Sequence, residues 1–119
     1  MNQYEVPAAI VDAFPETSKD IVYLSTIGNV YEAMSMFAAF LRKNVVEHQF
    51  YKVKKCMKLA QHIYNHGNSI VRNAVENAFI YSFSLISQLC NKKEWALVKK
   101  TIPHDLYNLY VKQVIGYGS

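Results

Sequence analysis

The stretch from Gln49 to His66 leaves the chain little choice of architecture. On a helical wheel turning about 100° per residue, Val53, Cys56, Met57, Leu59, Ala60, Ile63 and Tyr64 share one face, with Lys54, Lys58, Gln61, His62 and Asn65 opposite. A helix of this kind must bury its apolar stripe against another element. Gly67 follows where a left-handed C-cap belongs, and Asn68 or Ser69 then caps a further helix, Ile70 to about Cys90. The two helices are expected to form a tight antiparallel hairpin at the centre of the fold.

The second of these helices changes character midway. Arg72, Asn73, Glu76 and Asn77 make a polar side in its first half, yet Ile80 and Phe83 lie on that same side in the second. Either the terminal helices of the chain cover Ile80 and Phe83, as a central helix apolar all round requires, or the two form an exposed patch rimmed by Arg72, Asn73 and Glu76. In the second case these five residues are the candidate partner-binding surface, with the aromatic anchor dominating.

The flanking segments also read as helices. Val6, Ala9, Ile10 and Ala13 have helical spacing after Pro7, and Phe14-Pro15 ends that helix and opens a short second one to about Ser25. Ile21 to Leu24 would be a strand on propensity, but no second strand-like run exists to pair with it. Gly28 stops the second helix. Asn29 and Glu32 have capping-box spacing for a third, whose Val30, Met34, Phe37, Phe40, Leu41 and Val45 form a broad stripe to about Val45. Asn91 and Glu94 repeat that spacing for a short helix containing Trp95. Pro103 and Asp105 start a last one, with Leu106, Leu109, Tyr110 and Val114 inward and Gly116 and Gly118 at its end. The expected fold is an all-α compact bundle of six to seven helices around a central antiparallel hairpin, a single domain over residues 1–119.

Length and composition agree with this. At 119 residues, 51% of them hydrophobic, the chain suffices for one core and is too short for two. Nine Tyr and six Phe speak against disorder, and four Gly and three Pro are too few for a turn-rich β sandwich. Every apolar stretch is broken well before the ~18 residues of a membrane span, and Glu5, Asp12 and Glu16 occupy what would be a secretory leader, so a cytoplasmic protein with reduced Cys56 and Cys90 is expected.

Charge is divided along the chain. Residues 1–41 carry a net charge of −4 and the remainder +8, so the acidic part either packs over a basic body or leaves a basic face for an anionic partner. The densest basic patch comprises Arg42, Lys43, Lys54, Lys55 and Lys58, together with Lys52; Lys92, Lys93, Lys99 and Lys100 form another. With two arginines in all, Arg42 and Arg72, sequence-specific reading of bases is not expected.

Catalytic constellations are sparse. His62 and His66, at i and i+4, have the spacing of two metal ligands, but Ile63 stands where the catalytic version of the motif carries a glutamate, and the helix dipole alone favours histidines at this end. Lys92 and Lys93 would favour a Cys90 thiolate, whereas Cys56 lies on the buried stripe. Ser82, Ser84 and Ser87 lack a glycine-flanked elbow, no phosphate-binding glycine loop exists, and no two carboxylates are paired. No enzyme, metal or cofactor is expected.

Asn68 to Val75 is similar to the second helix of a HEAT-type repeat, with Arg72 ahead of an inward alanine, although no copy at a fixed period appears. The segments Asn73-Ala74-Val75-Glu76-Asn77 and Pro103 to Gln113, the latter of the form Pro-x-x-Leu-Tyr-x-x-Tyr-x-x-Gln, resemble a group of small bacterial all-helical proteins of uncharacterised function, from about Tyr31 to Gln113. Some of these are immunity-protein-like. The resemblance implies stoichiometric binding of a partner protein, a toxin or a second copy of the chain, as an immunity or antitoxin protein does. A pI near 9.0 departs from the acidic character of nuclease inhibitors. The alternative is a basic accessory protein that binds nucleic acid weakly and without sequence preference.

Overall fold

Proline and glycine set the boundaries at the N-terminal end. In the computed structural model, which describes residues 1–118, α1 (Val6–Ala13) takes Pro7 in its first turn and ends at Phe14, extended ahead of Pro15. A 3-10 turn, Pro15–Thr17, leads into two single-turn helices, α2 (Ser18–Ile21) and α3 (Leu24–Ile27). The Ile21 to Leu24 run is thus turn and helix, and no strand occurs among the described residues. Gly28 ends α3 in the left-handed region at φ 66°, where the Tyr4 ring lies too close for a Cβ.

Five longer pieces follow. α4 (Val30–Val46) is capped by the Asn29 side chain, which accepts from the Glu32 amide at 3.1 Å, and α5 (Phe50–His66) begins after a turn in which His48 has φ 58°. α6 (Ser69–Ala74), capped by Asn68, passes into a π-helical segment, Val75–Ile80, and on through Tyr81 into α7 (Ser82–Leu89). α8 (Lys92–Thr101) opens on a reciprocal capping box between Asn91 and Glu94. α9 (His104–Gly118) runs through Gly116, one of the two glycines expected to end it.

The π segment resolves the change of side. A π turn holds one residue more than an α turn, so everything beyond it is rotated by about 100° relative to an unbroken α wheel. Arg72, Asn73 and Asn77 therefore stay on the surface while Ile80 and Phe83 turn inward, each with 0% exposure. As partner-binding residues these two are corrected to core. The α wheel places them wrongly because it assumes a uniform turn.

The central helix packs chiefly against α4, with α5 folding back beside α6. Ring contacts run through this interface: Phe14 to Phe37 at 6.1 Å, Phe37 to Phe79 at 5.1 Å, Phe79 to Phe83 at 5.6 Å, and Phe83 to Tyr110 at 5.8 Å. Tyr110 also meets Trp95 at 6.1 Å, so aromatic side chains of α1's end, α4, the π segment, α7, α9 and α8 form one chain across the molecule. The shortest extent, 18 Å, matches two helix layers at the usual 8–10 Å spacing.

Two further expectations change. Gly67 is extended, with φ −76° and ψ 148°, so it is not a left-handed cap; a Cβ there would lie 2.5 Å from Val71 Cγ1 and 2.8 Å from the Ile63 carbonyl oxygen, and space is what requires glycine. Val114, expected inward, is 46% exposed, whereas Leu106 is buried. The acidic N-terminal part does pack over basic residues of α5. Lys52 pairs with Glu16 at 3.0 Å, holding its carboxyl below the usual range, and Lys55 donates to the Ala13 carbonyl at 2.9 Å with its ammonium over the Phe14 ring.

Phe83→Asp is expected to abolish folding. Losing a buried phenylalanine costs about 3–5 kcal/mol before the unpaired charge is added, against a total stability of about 5–15 kcal/mol. Circular dichroism should show no cooperative thermal transition; a folded variant would mean that Phe83 faces solvent.

Candidate functional site

The wide π turn leaves the Glu76 carbonyl accessible to a neighbour. Gln113 Nε2 of α9 donates to it at 2.7 Å, so the last helix is fastened to the centre of the fold by a side-chain amide. Around this bond the surface is concave in three places, with volumes of about 480, 280 and 650 Å³, and Glu76 lines all three. The first lies between the π segment and α9 and is lined by Asn77, Leu109, Lys112 and Gln113. The second is flanked by Tyr31 and Tyr81, and the third runs from Tyr64 across the α5–α6 turn to Ile70, Arg72 and Asn73.

Most polar groups here already have partners. Arg72 donates through Nε to the Gly67 carbonyl at 3.2 Å and lies 5.9 Å from the Tyr64 ring, so its guanidinium pins the turn between α5 and α6. Asn77 donates to Asn73 Oδ1 at 2.8 Å, one turn along the helix. The Glu76 carboxylate differs, being half-buried and in no ion pair among the described residues. Its charge is felt nearby: burial first, and then Glu76, push the Tyr64 phenol above its ordinary value. A half-buried carboxylate beside tyrosines and amides suits recognition of a cationic or donor-rich group.

Of the residues singled out in the sequence, Arg72, Asn73 and Glu76 come together at this surface, and Ile80 and Phe83 lie beneath it. His62 and His66 sit on the exposed face of α5 with ring centroids 4.2 Å apart, but Nδ1 of His66 is taken up by the His62 carbonyl at 2.9 Å, and no third His, Cys, Asp or Glu joins them among the described residues. Both thiols are less acidic than free cysteine: burial pushes Cys56 up to about 12, and burial followed by Glu94 raises Cys90. Burial governs Cys90 despite Lys92 and Lys93 beside it, because desolvation opposes the charged form. In the basic patch Lys43, Lys54 and Lys58 are exposed and Arg42 half-buried, while Lys55 is held at Ala13.

Asn77, Gln113, Tyr31 and Tyr81 were not singled out by chemistry. Asn77 and Gln113 do end the two motifs, Asn-Ala-x-Glu-Asn and Pro-x-x-Leu-Tyr-x-x-Tyr-x-x-Gln, and the bond between Gln113 and Glu76 joins those motifs in space. A family model covers residues 7–116, a span that takes in α1 through most of α9 and both motifs, and the chain belongs to that family, a domain of unknown function designated DUF7674. No curated protein and no solved structure matches the chain. No helix among the described residues is long and apolar enough to cross a membrane.

Gln113→Ala tests the fastening of α9. Losing this bond and leaving the Glu76 carbonyl without its partner is expected to cost about 1–3 kcal/mol, read as a lower urea midpoint with unchanged slope. An unchanged midpoint would show that α9 is held by its aromatic contacts alone.

Proposed function

We propose that this chain is a non-enzymatic protein-interaction module that engages its partner stoichiometrically through the surface over the π segment. The observation that carries the reading is the half-buried carboxylate of Glu76, in no ion pair among the described residues, where three concavities meet, with Tyr31, Tyr81 and Ile70 more than half exposed around them. Tyrosine anchors around a desolvated polar centre are the composition of an interface core, and Arg72, Asn73 and Asn77 are held in place beforehand by their own hydrogen bonds, which lowers the ordering cost of association. The partner would present a lysine, arginine or amide to Glu76.

The resemblance to immunity-like proteins suggests the form such binding takes, a stoichiometric inhibitor of a toxin-type protein. A net charge of +4 then fits a partner that is not strongly basic. The alternative, a basic accessory protein that binds nucleic acid, has part of its densest basic patch engaged, Lys52 with Glu16 and Lys55 with Ala13, while Lys54, Lys58 and the lysines of α8 remain exposed.

Co-expression with the product of the adjacent gene tests the proposal. The pair is expected to co-purify in a one-to-one complex that weakens less than about tenfold between low and physiological salt, and Glu76→Lys with Tyr81→Ala should weaken it at least about tenfold while both variants stay folded. Phosphate binding behaves differently, losing several orders of magnitude over the same range when many lysines contact the backbone. Tight, steeply salt-dependent binding to labelled duplex with no protein complex would overturn the reading.

A further inference from the structure

A second surface lies on α8 and the start of α9. Val98, the buried residue of α8, points inward, and the opposite direction on the helical wheel is that of Ala96. Lys92, Lys93, Lys99 and Lys100 flank Ala96 on that outer face, all of them exposed. The one acid of α8, Glu94, is turned away: it accepts from the Asn91 amide and pairs with His48 at 2.5 Å, so no carboxylate of this helix neutralises the lysines. None of the four is ion-paired among the described residues.

The lysine face borders a groove. Between the end of α8 and the start of α9 the surface forms a shallow, open depression of about 540 Å³, with Ala96, Ile102 and Tyr107 supplying the apolar part and Lys99, Lys100 and His104 the polar part. Every ionisable group lining it is basic apart from the Tyr107 phenol, and the small side chain of Ala96 leaves room for a backbone. Ile102 is only 8% exposed, so the floor is fixed, and the turn behind it is held by the Ile102 amide to the Lys99 carbonyl at 3.1 Å and the Tyr107 amide to the Pro103 carbonyl at 2.9 Å.

We propose that this groove binds an acidic peptide segment of a partner protein, one that seats an apolar side chain on Ile102 and Tyr107 and sets carboxylates against Lys99 and Lys100. Charge complementarity selects an anion, and the apolar floor selects a peptide over a polyphosphate chain. No arginine lines the groove to fork a phosphate. Tyr107 is half-buried and packs on Tyr110 at 6.2 Å, so its ring serves as a wall and offers little as a platform for stacking bases. The site is separate from the surface over the π segment and does not depend on the function proposed for it.

Trp95, the only tryptophan, is on α8 and packs on Tyr110, the ring beside the groove's Tyr107. The probe is a short synthetic peptide of aspartates and glutamates around one central leucine. It is expected to bind the full chain saturably and one to one, with a change in Trp95 emission. Lys99→Glu with Lys100→Glu should weaken binding at least about tenfold, the same peptide with serine for leucine should bind several times more weakly, and Lys19→Glu, at an exposed lysine of α2, should leave binding within about twofold. Circular dichroism on each variant establishes that the fold is intact, and Ala96→Glu supplies a second reversal of the same face. The proposal is overturned if the peptide does not saturate, if Lys19→Glu matters as much as the lysine reversals, if the serine peptide binds equally well, or if oligothymidylate or anionic vesicles displace the peptide at lower concentration. It is likewise overturned if these lysine reversals only abolish dimerisation of the chain through its own acidic N-terminal part.

Discussion

One wide turn in the central helix decides what this molecule buries and what it shows. Without the extra residue of the Val75–Ile80 segment, the apolar residues of the second half of the helix would come out on the side of Arg72 and Asn73, and either the core or the polar surface would be lost. With it, Phe79, Ile80 and Phe83 reach the interior, where Phe37 and Tyr110 meet them. The same turn frees the Glu76 carbonyl, and Gln113 takes it. Core packing, the attachment of α9 and the proposed recognition surface therefore share one local distortion.

The charged groups divide according to what they are attached to. Glu16 and Lys52 join the acidic N-terminal part to α5, and Glu94, held below the usual carboxylate range by the Asn91 amide and then His48, joins the start of α8 to the α4–α5 turn. Arg72 ties α6 to the Gly67 carbonyl. Among the charged groups outside these pairings are the half-buried carboxylate of Glu76 over the π segment and the exposed row of lysines on α8. The two proposed surfaces accordingly have opposite preferences, one for a cationic or amide-bearing group and the other for an acidic segment.

Much of this was legible in the residues. The caps at Asn29, Asn68 and Asn91, the stop at Gly28 and the stripe of α5 follow from local rules in which a side chain and its neighbours three or four places away settle the outcome. The role of Gly67 was not, because the need for glycine arises from Val71 packing against it and not from its own φ. The π turn was legible only as a symptom. The apolar stripe changed side at Ile80, and a wheel of fixed pitch cannot distinguish a helix that is apolar all round from one that has slipped by a residue. Nor could spacing show that Gln113 meets Glu76, since 37 residues separate them and their meeting depends on how α9 crosses the π segment.

The site inherits that limit. Arg72, Asn73 and Glu76 were recognisable as one polar side of a helix, whereas Tyr31 comes from α4 and Gln113 from α9, and only the packing of three elements brings them to one surface. The most direct measurement is a pair of length changes in the π segment, read by denaturant unfolding. Deleting Asn77 removes the extra residue, lets the helix run unbroken in α geometry and keeps both apolar stripes facing α4, so cooperative unfolding should persist within about 3 kcal/mol of the parent. Inserting one alanine after Asn77 should rotate α7 by about 100° beyond its place and destroy that transition. Tolerance of the insertion together with collapse on deletion would contradict the account.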